Sequence, residues 1–269
     1  MKLLYTFAMA VVIGGAMAQR VSAHEFWIQP ADETAGSTGV SRVQLKHGER
    51  WAGDVVARNA SLITRFEVVA FEEDSEAIAH STPVVGRDGS AWSLVRLPAD
   101  APACIVYETR EIAHEMPAAA FEAYLAEEGL DDVIDRRAAL GESTAAGREV
   151  YVRCARALSR GAERRDRTCG LKVEIVLTSM ERTANGCSVT ARVLREGSPL
   201  ADQAVVAVGE DDPATLIRAT TDANGVVQFT CRPDERWMMT TLVMERAEGH
   251  PSADWRSFWA STVFDVTDG

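Results

Sequence analysis

The sequence predicts a mainly β protein made of two β-sandwich domains, the first interrupted by helices. Apolar–polar alternation over short runs, the mark of half-buried strands, recurs from residue 40 to 107 and again from 171 to 266. Between them, from Pro117, the spacing becomes helical and remains so to residue 158. Turn signals such as Asn185-Gly186 and Asp222-Ala223-Asn224-Gly225 divide the second set at the intervals of a small sandwich.

In order along the chain, Leu3 to Ala18 is an apolar run behind Lys2, and no acidic residue precedes Glu25. Val21-Ser22-Ala23 carries the small-x-small pattern that signal peptidase reads, so residues 1–23 read as a cleaved leader. The apolar run is shorter than the ~20 residues of a membrane span. The mature chain is therefore expected to be periplasmic or secreted and not membrane-spanning, with His24 as its first residue. The formal net charge is −12, and loss of Lys2 and Arg20 with the leader takes it to about −14. That sign excludes nucleic-acid binding through the global field and suits cations.

The first domain is expected over 24–165. Residues 40–47, 62–71, 91–97 and 104–107 read as its strands, with Gly86-Arg87-Asp88-Gly89 as a turn. Ala118 to Glu128 reads as a helix, with Phe121, Tyr124 and Leu125 on one face and Gly129 as its stop. Asp131 to Leu140 reads as a second helix, opened by acids that suit its N-terminus. Glu149 to Leu158 reads as a third, with Tyr151, Cys154, Ala155 and Leu158 inward. This places a helical segment at 117–158. The polar stretch 161–170 reads as the linker to a second domain over 171–269. There, strands at 171–177, 187–195, 203–208, 215–220, 226–231, 237–244 and 257–266 describe a transthyretin/Ig-like sandwich. Gly197-Ser-Pro-Leu200 followed by Thr221-Asp-x-x-Gly225 is a pattern that recurs in transthyretin-like modules.

Five cysteines stand at 104, 154, 169, 187 and 231. Export permits disulfides, and Cys154–Cys169 and Cys187–Cys231 are the expected pairs, with one thiol left over. None lies in a CxxC. The chain has no GxSxG, HExxH, P-loop or strand-following GxGxxG. Glu127-Glu128 and Asp131-Asp132 read as adjacent, mostly solvent-facing acids on a helix and not as a glycosidase pair. A binding role is favoured over a catalytic one.

Several stretches together resemble the DUF4198 family: His24-Glu-Phe-Trp-Ile28, His47-Gly-Glu49, Phe121-x-x-Tyr-Leu-x-Glu-Glu-Gly-Leu130, Arg148-Glu-x-Tyr-x-Arg153 and Asp254-Trp-x-Ser-x-Trp-Ala-Ser261. The resemblance covers nearly the whole mature chain. It implies an exported protein similar to the periplasmic NikM-like components of nickel or cobalt uptake, with a membrane permease as a possible partner. One departure stands out: where relatives carry Val-His-Met, this chain has Leu242-Val243-Met244.

The candidate metal ligands are His24, His47 and Glu49, with His114, Met244, His250 and Glu25 as further contacts. A cleaved His24 offers its α-amine and Nδ1, and His47 a third nitrogen, a set that suits nickel, cobalt or copper. The leading expectation is an exported metal-binding protein serving an uptake system. Two alternatives stand beside it. One is a non-catalytic interaction sandwich without metal, and the other a copper monooxygenase with an N-terminal histidine brace.

Overall fold

A computed structural model describes residues 25–31, 39–71, 78–98, 101–159 and 166–266. The expected leader, His24 and residues 161–165 of the expected linker lie outside the described residues. Before the helices run β1 (Glu25–Pro30), β2 (Val40–Glu49), β3 (Ala52–Val56), β4 (Ile63–Phe71), β5 (Ile78–Pro83), β6 (Ser93–Arg96), β7 (Ala103–Thr109) and β8 (Ile112–Met116). Helices α1 (Ala118–Glu127) and α2 (Asp131–Ala139) follow. The remainder is β9 (Gly147–Leu158), β10 (Val173–Thr183), β11 (Gly186–Arg195), β12 (Ser198–Pro199), β13 (Ala204–Gly209), β14 (Leu216–Thr220), β15 (Val226–Cys231), β16 (Glu235–Arg246) and β17 (Trp255–Val266). The protein is mainly β, as its alternation indicates.

The strands form three layers. A nine-stranded sheet in the order β14-β13-β16-β17-β9-β7-β4-β5, with β8 also on β9, lies in the middle. On one face lies a sheet of β1, β2, β3 and β6, and on the other a sheet of β10, β11, β12 and β15. Alternation along each central strand supplies both interfaces. Ile105 and Tyr107 of β7 and Ala155 and Ala157 of β9 pack with Phe26, Ile28 and Leu45 of the first layer. Their neighbours Cys104, Val106, Val152 and Cys154 pack instead with Ile175, Val189 and Phe229 of the other.

The nine-stranded sheet crosses the division expected at 161–171. Its join is the parallel pair β17–β9, running from Trp255↔Glu149 to Val263↔Ala157. The C-terminal strands therefore do not all serve one small sandwich: β13, β14, β16 and β17 belong to the sheet that also holds β4 and β7.

The third expected helix is corrected. Residues 147–158 are β9, the strand on which β7, β8 and β17 all pair. Both of its faces are covered, so inward positions no longer alternate with outward ones and the sequence mimics a helical stripe. Two arginines added to that appearance. Arg156 is fully buried against Asp166 at 2.6 Å, and Arg153 stacks 4.6 Å from the Phe26 ring centroid.

The other two helices form where the sequence places them. Phe121, Tyr124 and Leu125 are the buried face of α1. Gly129 takes φ +70°, which favours glycine. The Leu130 N–H then donates to Leu125 O at 2.9 Å and the Gly129 N–H to Ala126 O at 3.3 Å, closing the helix by a Schellman reversal.

The expected disulfides are absent: all five cysteines are buried free thiols. Cys187 and Cys231 are register partners on β11 and β15, yet unbonded. Cys154 does not meet Cys169. Its thiol donates to Glu108 Oε2 at 3.9 Å, because β7 and β9 bring those two residues opposite each other.

Candidate functional site

The end of α1 and the N-terminal strand both line a cleft of about 630 Å³. Glu25 and Phe26 of β1, Glu49 and Arg50 of the β2–β3 turn, and Glu127 to Leu130 after α1 contribute to it. Ala201 to Ala204, Leu216 and Arg218 of β14, Thr240 to Met244 of β16, and Trp259 of β17 line it as well. The lining carries the carboxylates of Glu25, Glu49, Glu127, Glu128, Asp132 and Asp202, against the guanidiniums of Arg50 and Arg218. The cleft is thus acidic.

Local structure positions these groups. Antiparallel pairing of β1 with β2 sets Glu25 opposite Gly48 and Phe26 opposite His47. Arg50 and Trp51 form the hairpin turn with φ of 52° and 70°, a left-handed pair normally given to Asn-Gly. Two bonds hold this unfavoured turn. The Arg50 N–H donates to Glu25 Oε2 at 2.7 Å, and Trp51 Nε1 donates to Val208 O at 3.1 Å. The β13–β16 part of the lining is fixed by Gln203 Nε2 donating to Leu242 O at 3.0 Å and Thr241 Oγ1 donating to Ala204 O at 2.7 Å. The Trp259 ring lies against Tyr124 of α1, with centroids 6.3 Å apart and planes at 19°. Tyr124 OH in turn donates to the buried Glu149 at 3.4 Å.

The electrostatics of the cleft follow from burial and like charge. Glu128 has its pKa raised to about 7, first by burial and then by the charges of Glu127, Glu25 and Glu49. Glu25 is also raised by burial, partly offset by the Arg50 N–H. Within the described residues Glu128 has no hydrogen bond or ion pair of its side chain.

Of the expected ligands, Glu49 and Met244 line the cleft, and Glu25 joins them. His47 sits on β2 opposite Phe26 and is not part of the lining. His114 is exposed on β8, opposite Glu149. His250 lies elsewhere, its Nε2 3.5 Å from Glu111. His24 lies outside the described residues. Among the described residues no group of three or more His, Cys, Asp or Glu side chains could hold a metal ion. Val243, the position at which a histidine was expected by resemblance, does line the cleft. Glu127 and Asp132 are exposed, as expected for adjacent acids on a helix, whereas Glu128 is half-buried. Helical spacing alone does not reveal that this end of α1 lines the same cleft as β1.

Among the described residues no helix is long and apolar enough to cross a membrane. A family model described as "Domain of unknown function (DUF4198)" matches residues 21–245. No curated protein matches the chain. Among solved structures, the D0-D1 domain of Intimin aligns over 90% of this chain and 97% of that chain, at 15% identity and a TM-score of 0.21. A similarity that low carries no argument about fold or function.

Proposed function

This chain belongs to the DUF4198 family of domains of unknown function, and on that premise we propose that it is an exported binding protein whose acidic cleft takes a divalent transition metal ion. Nickel, cobalt or copper is the cargo, delivered to an uptake system at the membrane. The observation that carries this reading is the cleft itself, whose lining includes Glu25, Glu49, Glu128 and Met244. Carboxylate and thioether donors alone do not form a complete site among the described residues. The reading therefore needs His24, one peptide bond before Glu25 in the sequence. A cleaved chain would offer its α-amine and imidazole as further donors. The bound ion would draw on those nitrogens, and Glu128 would give up its proton to neutralise the charge.

The test is isothermal titration of the mature protein with nickel, cobalt and copper ions, after mass spectrometry has established the N-terminus. Binding to a chain that begins at His24 is the expected result. It weakens as pH falls below about 7, because protons compete for the amine, the imidazole and Glu128. One residue added before His24 should abolish the chelate, and Glu128→Gln should weaken binding by about tenfold, the worth of one charge-assisted contact. Equal affinity in the extended variant overturns the reading.

A second reading has one observation in its favour. Val243 is an apolar side chain in the cleft, where a ligating histidine would strengthen a metal site. On that reading the acidic cleft receives a basic segment of a partner protein, and titration with all three ions gives no heat.

A further inference from the structure

We propose that the outer face of the sheet formed by β1, β2, β3 and β6 is a membrane-docking surface. On it Trp92 and two aliphatic side chains enter the headgroup region of an anionic phospholipid bilayer, and arginines pair with the lipid phosphates. The inference does not depend on the cleft or on its cargo.

Register builds the face. Val43 and Ser93 stand opposite each other on β2 and β6 and are buried, so the next pair, Arg42 and Leu94, points away from the core. Val85 exchanges two backbone hydrogen bonds with Leu94, at 3.0 and 2.7 Å, which sets its side chain beside Leu94 on the same surface. The Trp92 ring joins them under the Arg42 guanidinium, 5.1 Å from the ring centroid. Three of the six large apolar side chains exposed among the described residues thus gather here: Val85 at 66%, Leu94 at 48% and Trp92 at 39%. Such clustering marks an interaction surface, whereas single exposed apolar groups do not.

The loop that presents Trp92 is fixed. Ser90 Oγ donates to Trp92 O at 2.8 Å. The Gly89 N–H donates to Arg58 O at 2.8 Å and the Arg58 N–H to Ser90 O at 2.9 Å. Arg58 Nε donates to Gly86 O at 3.1 Å. Docking therefore orders little that is not already ordered.

Charge selects the occupant. The chain carries a formal charge of −12, yet Asp88 is the one acid between residues 78 and 98, and its carboxylate accepts the Ala60 N–H at 2.7 Å. Arg96, two residues beyond Leu94 on β6, and Arg87, in the turn after Val85, are exposed and have no ion pair among the described residues. An anionic bilayer repels the acidic molecule as a whole and attracts this side of it, so charge also sets the orientation. Indole rings favour the headgroup level of a bilayer, and guanidinium groups match phosphate oxygens. A second copy docked by a two-fold axis would instead press these arginines against their own equivalents.

The experiment co-sediments the mature protein with vesicles of phosphatidylcholine alone, and of phosphatidylcholine with an equal part of phosphatidylglycerol, at low salt with EDTA present. Mass spectrometry first establishes that the apolar leader is gone, since it would bind lipid by itself. The expected result is partition to the anionic vesicles only, lost as salt is raised, with a blue shift of tryptophan emission. Arg96→Gln should lower partition about fivefold, and Arg87→Gln combined with Arg96→Gln about 25-fold, the worth of one and two cations near an anionic surface. Trp92→Ala should lower partition and remove the blue shift. These side chains are exposed, so the variants should keep the parent Tm. Arg192→Gln removes the same charge from an exposed position of β11 in the opposite outer sheet and should leave partition unchanged. No sedimentation with the anionic vesicles, equal partition to both kinds, or an Arg192→Gln loss as large as that of Arg96→Gln overturns the proposal. Because metal ions are chelated throughout, failure here leaves the cleft reading standing.

Discussion

Glu128 ionises at a cost because burial and the nearby charges of Glu127, Glu25 and Glu49 all oppose it, and its pKa rises to about 7. The sign of the effect on stability follows from proton counting. Between about pH 4.5 and pH 7 the folded state keeps a proton that the unfolded state has lost, so this group makes the protein less stable as pH rises through that window. Glu128→Gln is therefore expected to raise Tm at pH 8 and to leave it unchanged at pH 4, as measured by thermal melts of the apo protein. An equal shift at both pH values would mean that the carboxylate is not protonated in the fold. The position was visible in the sequence as one of two adjacent acids before Gly129, but its burial was not. An acid on a helix end is normally solvated, and only the tertiary fold, which sets this end in a cleft, takes water from it.

At the scale of elements, the helical insertion docks through Phe121, and Gly147 at the start of β9 makes room for its ring. A Cβ at Gly147 would overlap that ring. Arg137 of α2 lies over its face at 4.7 Å and also donates to Glu142 O and Ala145 O at 2.7 and 2.9 Å, closing the loop after α2. Gly147→Ala is expected to cost about 1–3 kcal/mol through overpacking, read as a lower midpoint of urea unfolding. Combining it with Phe121→Leu should recover part of the loss. No recovery would place the strain in the backbone of β9 instead. The insertion also carries Glu127 to Leu130 to the cleft, so a loosened α1 should weaken cation binding even though neither residue lines the site.

At the scale of the molecule, the two halves of the chain share one sheet. The parallel β9–β17 pairing buries both strand edges, and with it the faces that carry Val152, Phe258 and Ala260. Residues 24–165 or 166–269 produced alone would expose an unpaired edge and these apolar faces. Neither fragment is expected to unfold cooperatively, and mixing the two should restore a near-UV circular dichroism signal. A fragment 166–269 with a sharp transition of its own would show that the C-terminal strands suffice for a core.

By itself the sequence determined the β class, the positions of α1 and α2, the Gly129 stop and membership of the family, because each is written locally. Period-two runs such as 40–47, the apolar face of Phe121, Tyr124 and Leu125, and a glycine free to take positive φ need no distant partner to be read. Tertiary structure alone decided that 147–158 is a strand, that Cys154 faces Glu108 as a free thiol, and that Glu25, Glu49, Glu128 and Met244 line one cleft while His47, His114 and His250 do not. Each of these depends on which surfaces lose water together. A strand covered on both faces has no alternation to display, and side chains brought together from β1, α1 and β16 share no spacing in the sequence.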